Sequence, residues 1–122
     1  MVEPLKTVVV GAGRGRSHVQ SIQRFPNLFE LVAWVDLDAT RLNEQITEAG
    51  LPAAIASTSL VETLEHTDCD AVVVATWART HEAIVGQAID AQKHILVEKP
   101  YALTLATSRG LQDKATAAGL KV

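Results

Sequence analysis

The sequence predicts an α/β fold built on a doubly wound parallel sheet in three layers, α/β/α. Two observations lead to this prediction: strand-length apolar runs alternate with helical patterns, and the first run ends directly in a glycine-rich turn. The first and third runs, residues 7–10 and 71–75, are nearly continuous in β-branched apolar residues, as in parallel strands buried on both faces. Parallel strands need crossover helices, and right-handed crossovers place those helices on both faces of an open sheet.

Composition limits both the size and the partners of this fold. The 122 residues, 48% hydrophobic and 20% charged, fit one domain, residues 1–122. A net charge of −3 without a basic run argues against a nucleic-acid partner. No apolar run approaches the roughly 20 residues of a membrane helix, and no signal peptide is evident, so we expect a cytoplasmic protein without a membrane partner. The single cysteine and four scattered histidines predict neither a disulfide nor a metal site.

The first elements are predicted as strand, helix, strand and helix. Residues 7–10 form the first strand, and the helix after the glycine turn ends before Pro26. Residues 31–35 form the second strand. Asp38 then caps the second helix and Gly50 closes it, because a short acidic side chain accepts first-turn N–H groups and glycine tolerates a left-handed C-terminal residue.

The middle of the chain contains a weaker strand signal and a clear helix start. A short strand is predicted around residues 53–56. Ser59 and Glu62 have the spacing of a capping box, in which the serine accepts a first-turn N–H and the glutamate reaches back to the serine N–H. A short helix therefore begins there, followed by the strand over residues 71–75.

The last elements complete the alternation. Helices are predicted over residues 80–91 and 105–118, with a strand over 95–97 between them. Gly119 is the C-terminal stop of the last helix. Residues 120–122 resemble the opening of one more strand, so we expect the domain to end at the start of a further strand.

The turn Gly11-Ala12-Gly13-Arg14-Gly15 follows a strand and precedes a helix, the context in which such a turn binds phosphate. Gly11 permits the tight turn, and Gly13 lets the backbone approach a pyrophosphate at the helix N-terminus. Arg14 is a candidate phosphate contact. The usual dinucleotide fingerprint has its third glycine one position later than Gly15. Because Gly-x-Gly-x-Gly also occurs in methyltransferases that bind S-adenosylmethionine, the turn alone leaves both cofactors open.

Asp36 ends the second strand, 21 residues after Gly15. An acidic side chain at this place accepts hydrogen bonds from the adenosine ribose and repels a 2′-phosphate, which favours NAD over NADP. We therefore assign Asp36 to the ribose and Asp38 to the helix cap.

The later strand ends carry the most specific motif. Residues 71–76, His81 and the run Lys93-His94-Ile95-Leu96-Val97-Glu98-Lys99-Pro100, together with the glycine turn, resemble the N-terminal domain of the Gfo/Idh/MocA oxidoreductase family. The resemblance covers essentially the whole chain. It implies a Rossmann fold that binds NAD or, less favoured, NADP, without the family's C-terminal α/β domain.

The resemblance also implies roles for individual residues. Lys99 corresponds to the family lysine that lies near the nicotinamide and the substrate hydroxyl, and we expect it to be catalytic. Glu98 is similarly placed near the cofactor, and the segment from Thr76 to His81 lines the cofactor crevice. Trp77 replaces a proline common in the family, and either borders the nicotinamide pocket or covers the edge of the core.

The expected function is hydride transfer between nicotinamide and a hydroxyl or carbonyl of a sugar, polyol or related compound. Family members use a second domain for most of the substrate pocket and for oligomer contacts, so this chain alone is expected to bind cofactor without efficient turnover. A homo-oligomer is possible. The alternatives are a non-catalytic module that senses NAD(H) and, less favoured because it leaves Glu98-Lys99-Pro100 unexplained, a methyltransferase.

Overall fold

The computed structural model describes residues 2–122, which form a five-stranded parallel sheet covered by five helices. The strands are β1 Leu5–Val10, β2 Phe29–Val35, β3 Ala56–Ser57, β4 Ala71–Val74 and β5 His94–Val97. The helices are α1 Gly15–Arg24, α2 Ala39–Glu48, α3 Leu60–His66, α4 His81–Asp90 and α5 Leu105–Ala117. This is the predicted doubly wound α/β fold.

The strand order, β3-β2-β1-β4-β5, puts the first strand in the middle of the sheet. From β1 the chain builds outward through β2 and β3, then crosses back and builds the other half through β4 and β5. The direction of winding therefore reverses between β1 and β4. In open α/β sheets the ligand crevice lies outside the carboxyl ends of the strands at such a switch point.

Two apolar clusters fill the space between sheet and helices, one on each face. Alternate strand residues point to opposite faces, so Val8 and Val9 belong to different clusters. One cluster joins the sheet to α1 and α2, and the other joins it to α3, α4 and α5. Three layers result, as predicted.

Two local predictions in the middle of the chain were wrong in detail. Residues 53–56 were expected to be a strand, but Ala53–Ile55 is a 3₁₀ turn and only Ala56–Ser57 pairs with β2. The capping box is half formed: Ser59 Oγ accepts the Glu62 N–H at 3.3 Å, whereas the Ser59 N–H donates to Ser57 Oγ at 3.2 Å. The nearer hydroxyl takes the place that the glutamate was expected to fill.

The helix ends agree with the sequence signals. Asp38 caps α2 by accepting the Arg41 N–H at 3.1 Å, and Gly50 and Gly119 have the positive φ angles, 70° and 73°, of helix-terminating glycines. The final residues lie beside β5, where the Ile95 N–H donates to the Lys121 carbonyl at 2.9 Å. No helix within residues 2–122 is long and apolar enough to cross a membrane.

Candidate functional site

The glycine turn begins at a residue that cannot carry a side chain. Gly11 has φ +115°, and a Cβ there would clash with the carbonyl oxygen of Ala75. This contact joins the carboxyl end of β1 to that of β4. Both the left-handed backbone and the close approach require glycine.

Three consecutive backbone groups of the turn are held by the end of β2. The Gly11 N–H donates to the Val35 carbonyl at 2.8 Å, and the Gly11 carbonyl accepts from the Trp34 indole N–H, also at 2.8 Å. The Ala12 N–H donates to Asp36 Oδ2 at 2.7 Å. The conformation of the turn is therefore set by the chain itself.

The N–H groups that follow are free to bind an anion. Among residues 2–122, neither Gly13 nor Arg14 has a protein acceptor for its backbone N–H. Arg14 also occupies the N-cap of the ten-residue helix α1 without a side-chain cap. Uncapped N–H groups and the positive end of a helix dipole make this a phosphate-binding geometry.

Gly15 has a packing role in the structure. It is buried, and a Cβ there would lie 2.9 Å from Val9 Cγ1 and 3.5 Å from Trp34 Nε1. The missing side chain lets α1 pack closely on the sheet, the task of the third glycine in the dinucleotide fingerprint. The spacing is one residue shorter than usual, yet this function is retained. Arg41 lies near the turn, with its guanidinium Nη2 2.6 Å from the position of a Gly13 Cβ.

Asp36 bridges the turn and the start of α2. Its Oδ2 accepts from Ala12, and its Oδ1 accepts the Asp38 N–H at 2.8 Å. Each carboxylate oxygen keeps a further lone pair for an incoming hydroxyl donor. Asp38, rather than Asp36, caps the helix, as predicted. Asp36 is thus fixed in place with acceptor capacity to spare.

Glu98 connects the Glu98-Lys99-Pro100 motif to the helix that follows the glycine turn. Its Oε1 accepts from His18 Nε2 at 2.7 Å and lies 3.5 Å from Arg14 Nε. The hydrogen bond from His18, assisted by the charge of Arg14, holds the pKa of the Glu98 carboxyl below its ordinary value despite partial desolvation.

Sequence reasoning missed the contribution of His18. Arg14 and His18 are four residues apart and therefore share a helix face, a signal that predicts a common partner. The partner itself, Glu98, is 80 residues away from His18, and no local pattern identifies it.

His81 is fully buried and links two segments of the crevice. Its Nδ1 lies 2.7 Å from the Pro100 carbonyl oxygen and its Nε2 lies 3.1 Å from the Thr76 carbonyl oxygen. The imidazole therefore faces the protein interior, and it ties the end of β4 to the motif that follows β5.

Next to this link, Thr76 and Thr80 join their hydroxyls at 2.7 Å, and Thr80 also donates to the Trp77 carbonyl. The Trp77 backbone is held in this way while its side chain stays 77% exposed. Of the two roles open for Trp77, covering the core does not fit this exposure.

Lys99 is exposed, and its side chain makes neither a hydrogen bond nor an ion pair with any part of residues 2–122. The Lys99–Pro100 peptide bond is cis. His81 and the Glu98 N–H hold the backbone on either side of Lys99, so an ammonium without protein contacts extends from a backbone that is held in place.

Comparisons with known proteins agree with this arrangement. Residues 5–122 match the model of the Gfo/Idh/MocA family, described as an oxidoreductase family with an NAD-binding Rossmann fold. This match does not support the methyltransferase alternative left open by the glycine turn.

Individual relatives extend well beyond this chain. Inositol 2-dehydrogenase of Pseudarthrobacter chlorophenolicus is 35% identical over 122 residues, 99% of this chain and 36% of its own length. Inositol 2-dehydrogenase/D-chiro-inositol 3-dehydrogenase of Lacticaseibacillus casei is 34% identical over 121 residues, 97% of this chain and 34% of its own length. The chain thus spans about a third of the length of these curated relatives.

Among solved structures, GenD2 from gentamicin A biosynthesis, crystallised in complex with NAD, superposes with a TM-score of 0.87 at 36% identity. The match covers 98% of this chain and 34% of that one. With the family model matched over residues 5–122, the chain belongs to the Gfo/Idh/MocA oxidoreductase family and spans its NAD-binding Rossmann domain.

Proposed function

We propose that this chain is the cofactor-binding part of an oxidoreductase that transfers a hydride between NAD and a hydroxyl or carbonyl of a sugar, polyol or related compound. The observation that carries the proposal is the contact of Glu98 with Arg14 and His18, because it joins the candidate catalytic lysine's motif to the phosphate-binding turn. On this proposal the backbone N–H groups that bind phosphate and the ammonium of Lys99 belong to one crevice.

The residues present fit a dinucleotide. The free N–H groups of Gly13 and Arg14 suit its diphosphate, and the spare lone pairs of Asp36 suit the hydroxyls of its adenosine ribose. A 2′-phosphate about 4 Å from Asp36 would be repelled by roughly 1–4 kcal/mol, which supports NAD over NADP. When bound, NAD supplies the nicotinamide ring that accepts or gives the hydride.

Lys99 is proposed as the catalytic group. An ammonium beside a reacting oxygen stabilises developing alkoxide charge and exchanges a proton with it. Its lack of protein partners leaves its N–H donors available to a substrate. Thr76 and the exposed Trp77 are proposed to border the cofactor, while His81 acts from the interior as a positioning residue that holds the Pro100 carbonyl.

The substrate and any contacts between subunits are proposed to involve a second domain, since the relatives are about three times as long. Residues 1–122 taken by themselves would then bind cofactor and present Lys99 without efficient turnover. Stable NAD binding by a complete native protein that shows no dehydrogenase activity would instead favour the sensing module.

The proposal is tested by calorimetry with NAD, S-adenosylhomocysteine as the competing ligand, and the variant Lys99→Ala. We expect the wild type to bind NAD and not S-adenosylhomocysteine. Lys99→Ala should keep NAD affinity within about threefold, because the exposed Lys99 side chain makes no bond to the glycine turn or to Asp36, and its removal should leave both unchanged. In a full-length form, the same change should lower kcat by about 10²-fold or more.

Lys121→Ala is the matched control, since it removes another exposed lysine outside the crevice. Retained turnover in Lys99→Ala would remove Lys99 from the mechanism, and absence of NAD binding by the wild type would contradict the proposed function as a whole.

A further inference from the structure

We propose that Trp34 is a positioning residue of the cofactor site: its indole N–H fixes the Gly11–Ala12 peptide of the glycine turn and thereby sustains NAD affinity. The inference rests on the proposed function only for its ligand. The hydrogen bonds that fix this peptide join groups within residues 2–122 and do not depend on the ligand.

Trp34 is an unusual choice for its position. It lies on β2, fully buried in the apolar cluster between the sheet and the helices α1 and α2. An aliphatic side chain would fill such a place without a polar atom, whereas an indole N–H is a donor that requires a partner when buried. That partner is the Gly11 carbonyl, at 2.8 Å.

The bonded groups belong to a single peptide unit. The Gly11 carbonyl and the Ala12 N–H are opposite edges of one planar peptide. Trp34 holds the first edge and the Asp36 carboxylate holds the second, at 2.7 Å. Trp34 and Asp36 are two residues apart, so β-strand alternation directs both side chains to the same face.

A peptide held at both edges cannot rotate about its neighbouring dihedral angles without losing two hydrogen bonds. On the Gly11 side this rotation is about ψ, which the missing Cβ leaves with little steric restriction, in a residue that already has a φ of +115°. Side-chain bonds therefore supply the restraint that the residue itself does not. Because the free N–H groups of Gly13 and Arg14 follow this peptide directly, its orientation decides whether they converge on a phosphate.

The test compares Trp34→Phe with Ile46→Val. The first change keeps an aromatic ring in the cluster and removes the indole N–H. The second removes a methylene-sized volume from the same cluster, where Ile46 is 2% exposed, and leaves the turn untouched. Both variants are expected to lose stability, which urea unfolding measures.

Two readouts separate positioning from packing. We expect the Kd for NAD to rise about three- to tenfold in Trp34→Phe, the effect of one net hydrogen bond, and to stay within about twofold in Ile46→Val. Amide hydrogen exchange at Ala12, measured without ligand, should accelerate in Trp34→Phe relative to Ile46→Val after correction for global stability.

Each outcome is decisive. Equal exchange at Ala12 in the two variants, or an unchanged Kd in Trp34→Phe, would overturn the positioning role and leave Trp34 as packing. If exchange at Ala12 is faster in Trp34→Phe than in Ile46→Val but the wild type binds no NAD, the proposed function is contradicted. The role of Trp34 in fixing the peptide would still be supported.

Discussion

The two halves of the crevice are held in different ways. The glycine turn is fixed by buried groups and backbone: Gly11 contacts the Ala75 carbonyl, and the end of β2 supplies bonds from Trp34, Val35 and Asp36. The Glu98-Lys99-Pro100 segment is held at its two ends: Glu98 contacts His18 and donates its N–H to the Val74 carbonyl, and the buried His81 ring lies beside the Pro100 carbonyl.

The difference matches the role proposed for each half. A diphosphate is bound by backbone N–H groups, which work only if their directions are set before the ligand arrives. A lysine that meets a substrate has to reach it, and a free side chain on a fixed base allows that. The more rigid half is thus the glycine turn, where the proposed phosphate binding needs N–H donors in fixed directions.

The largest test of this comparison is Gly11→Ala. We expect a loss of about 4 kcal/mol in the free energy of unfolding, because a left-handed backbone and a clash with the Ala75 carbonyl act together. Urea unfolding measures the loss. NAD binding should disappear with it.

Gly50→Ala is the matched control for that variant. Gly50 also has a positive φ, 70°, but a Cβ there meets nothing within 4 Å, so the expected loss is about 1 kcal/mol. Equal losses in the two variants would mean that the contact between β1 and β4 does not constrain the turn.

A smaller effect is expected from His81→Leu, which removes the only side-chain bonds that the structure gives between Thr76 and Pro100 within residues 2–122. A neutral imidazole has one N–H, so one of the two part-buried carbonyl oxygens then loses its donor and the packing of the fully buried ring is lost as well; the free energy of unfolding should fall by about 2 kcal/mol. NAD affinity should fall less than in Gly11→Ala.

His66→Leu is its control, since the His66 side chain is 79% exposed and its replacement should change stability by less than about 0.5 kcal/mol. If His81→Leu were as mild as His66→Leu, the buried ring would not be the support of the Lys99 segment.

The smallest effect is expected from Glu98→Gln, and it depends on pH. The pKa of Glu98 in the native state lies below its ordinary value of 4.5. The ionised carboxylate therefore stabilises the native state at pH values above 4.5, and this stabilisation is lost as the pH falls through the native pKa. The stability difference between wild type and variant, measured by urea unfolding from pH 7 downward, should therefore close in acid. A constant difference would contradict the role assigned to the His18 pair.

Most of the fold was predictable because its signals are local. Buried parallel strands, the Asp38 cap and the helix-ending Gly119 each depend on a few neighbouring residues. Asp36 was predicted to end the second strand and to bind the adenosine ribose; its place directly after β2 is confirmed, and its bond to the Ala12 N–H was not predicted, while the ribose contact stays a prediction.

The unpredicted features depend on contacts between distant parts of the chain. His18 meets Glu98 across 80 residues, and the Trp34 indole meets Gly11 across 23. His81 stands at a helix start, where a histidine is usually exposed, and only the assembled fold buries it. The 3₁₀ turn at Ala53–Ile55 shows the same limit on a small scale, since four apolar residues fit either conformation.

The sheet also divides the molecule into two separately adjustable compartments. The cluster on the α1 and α2 side contains Ala12 and Trp34 and supports the turn, whereas the cluster on the other side contains Ala102 and supports the chain after Lys99. The two compartments communicate through the strands and, at the carboxyl edge of the sheet, through the contact of Glu98 with Arg14 and His18. Directed evolution can therefore vary the interior of one face at a time, with Glu98, Arg14 and His18 kept unchanged as the junction between the two libraries.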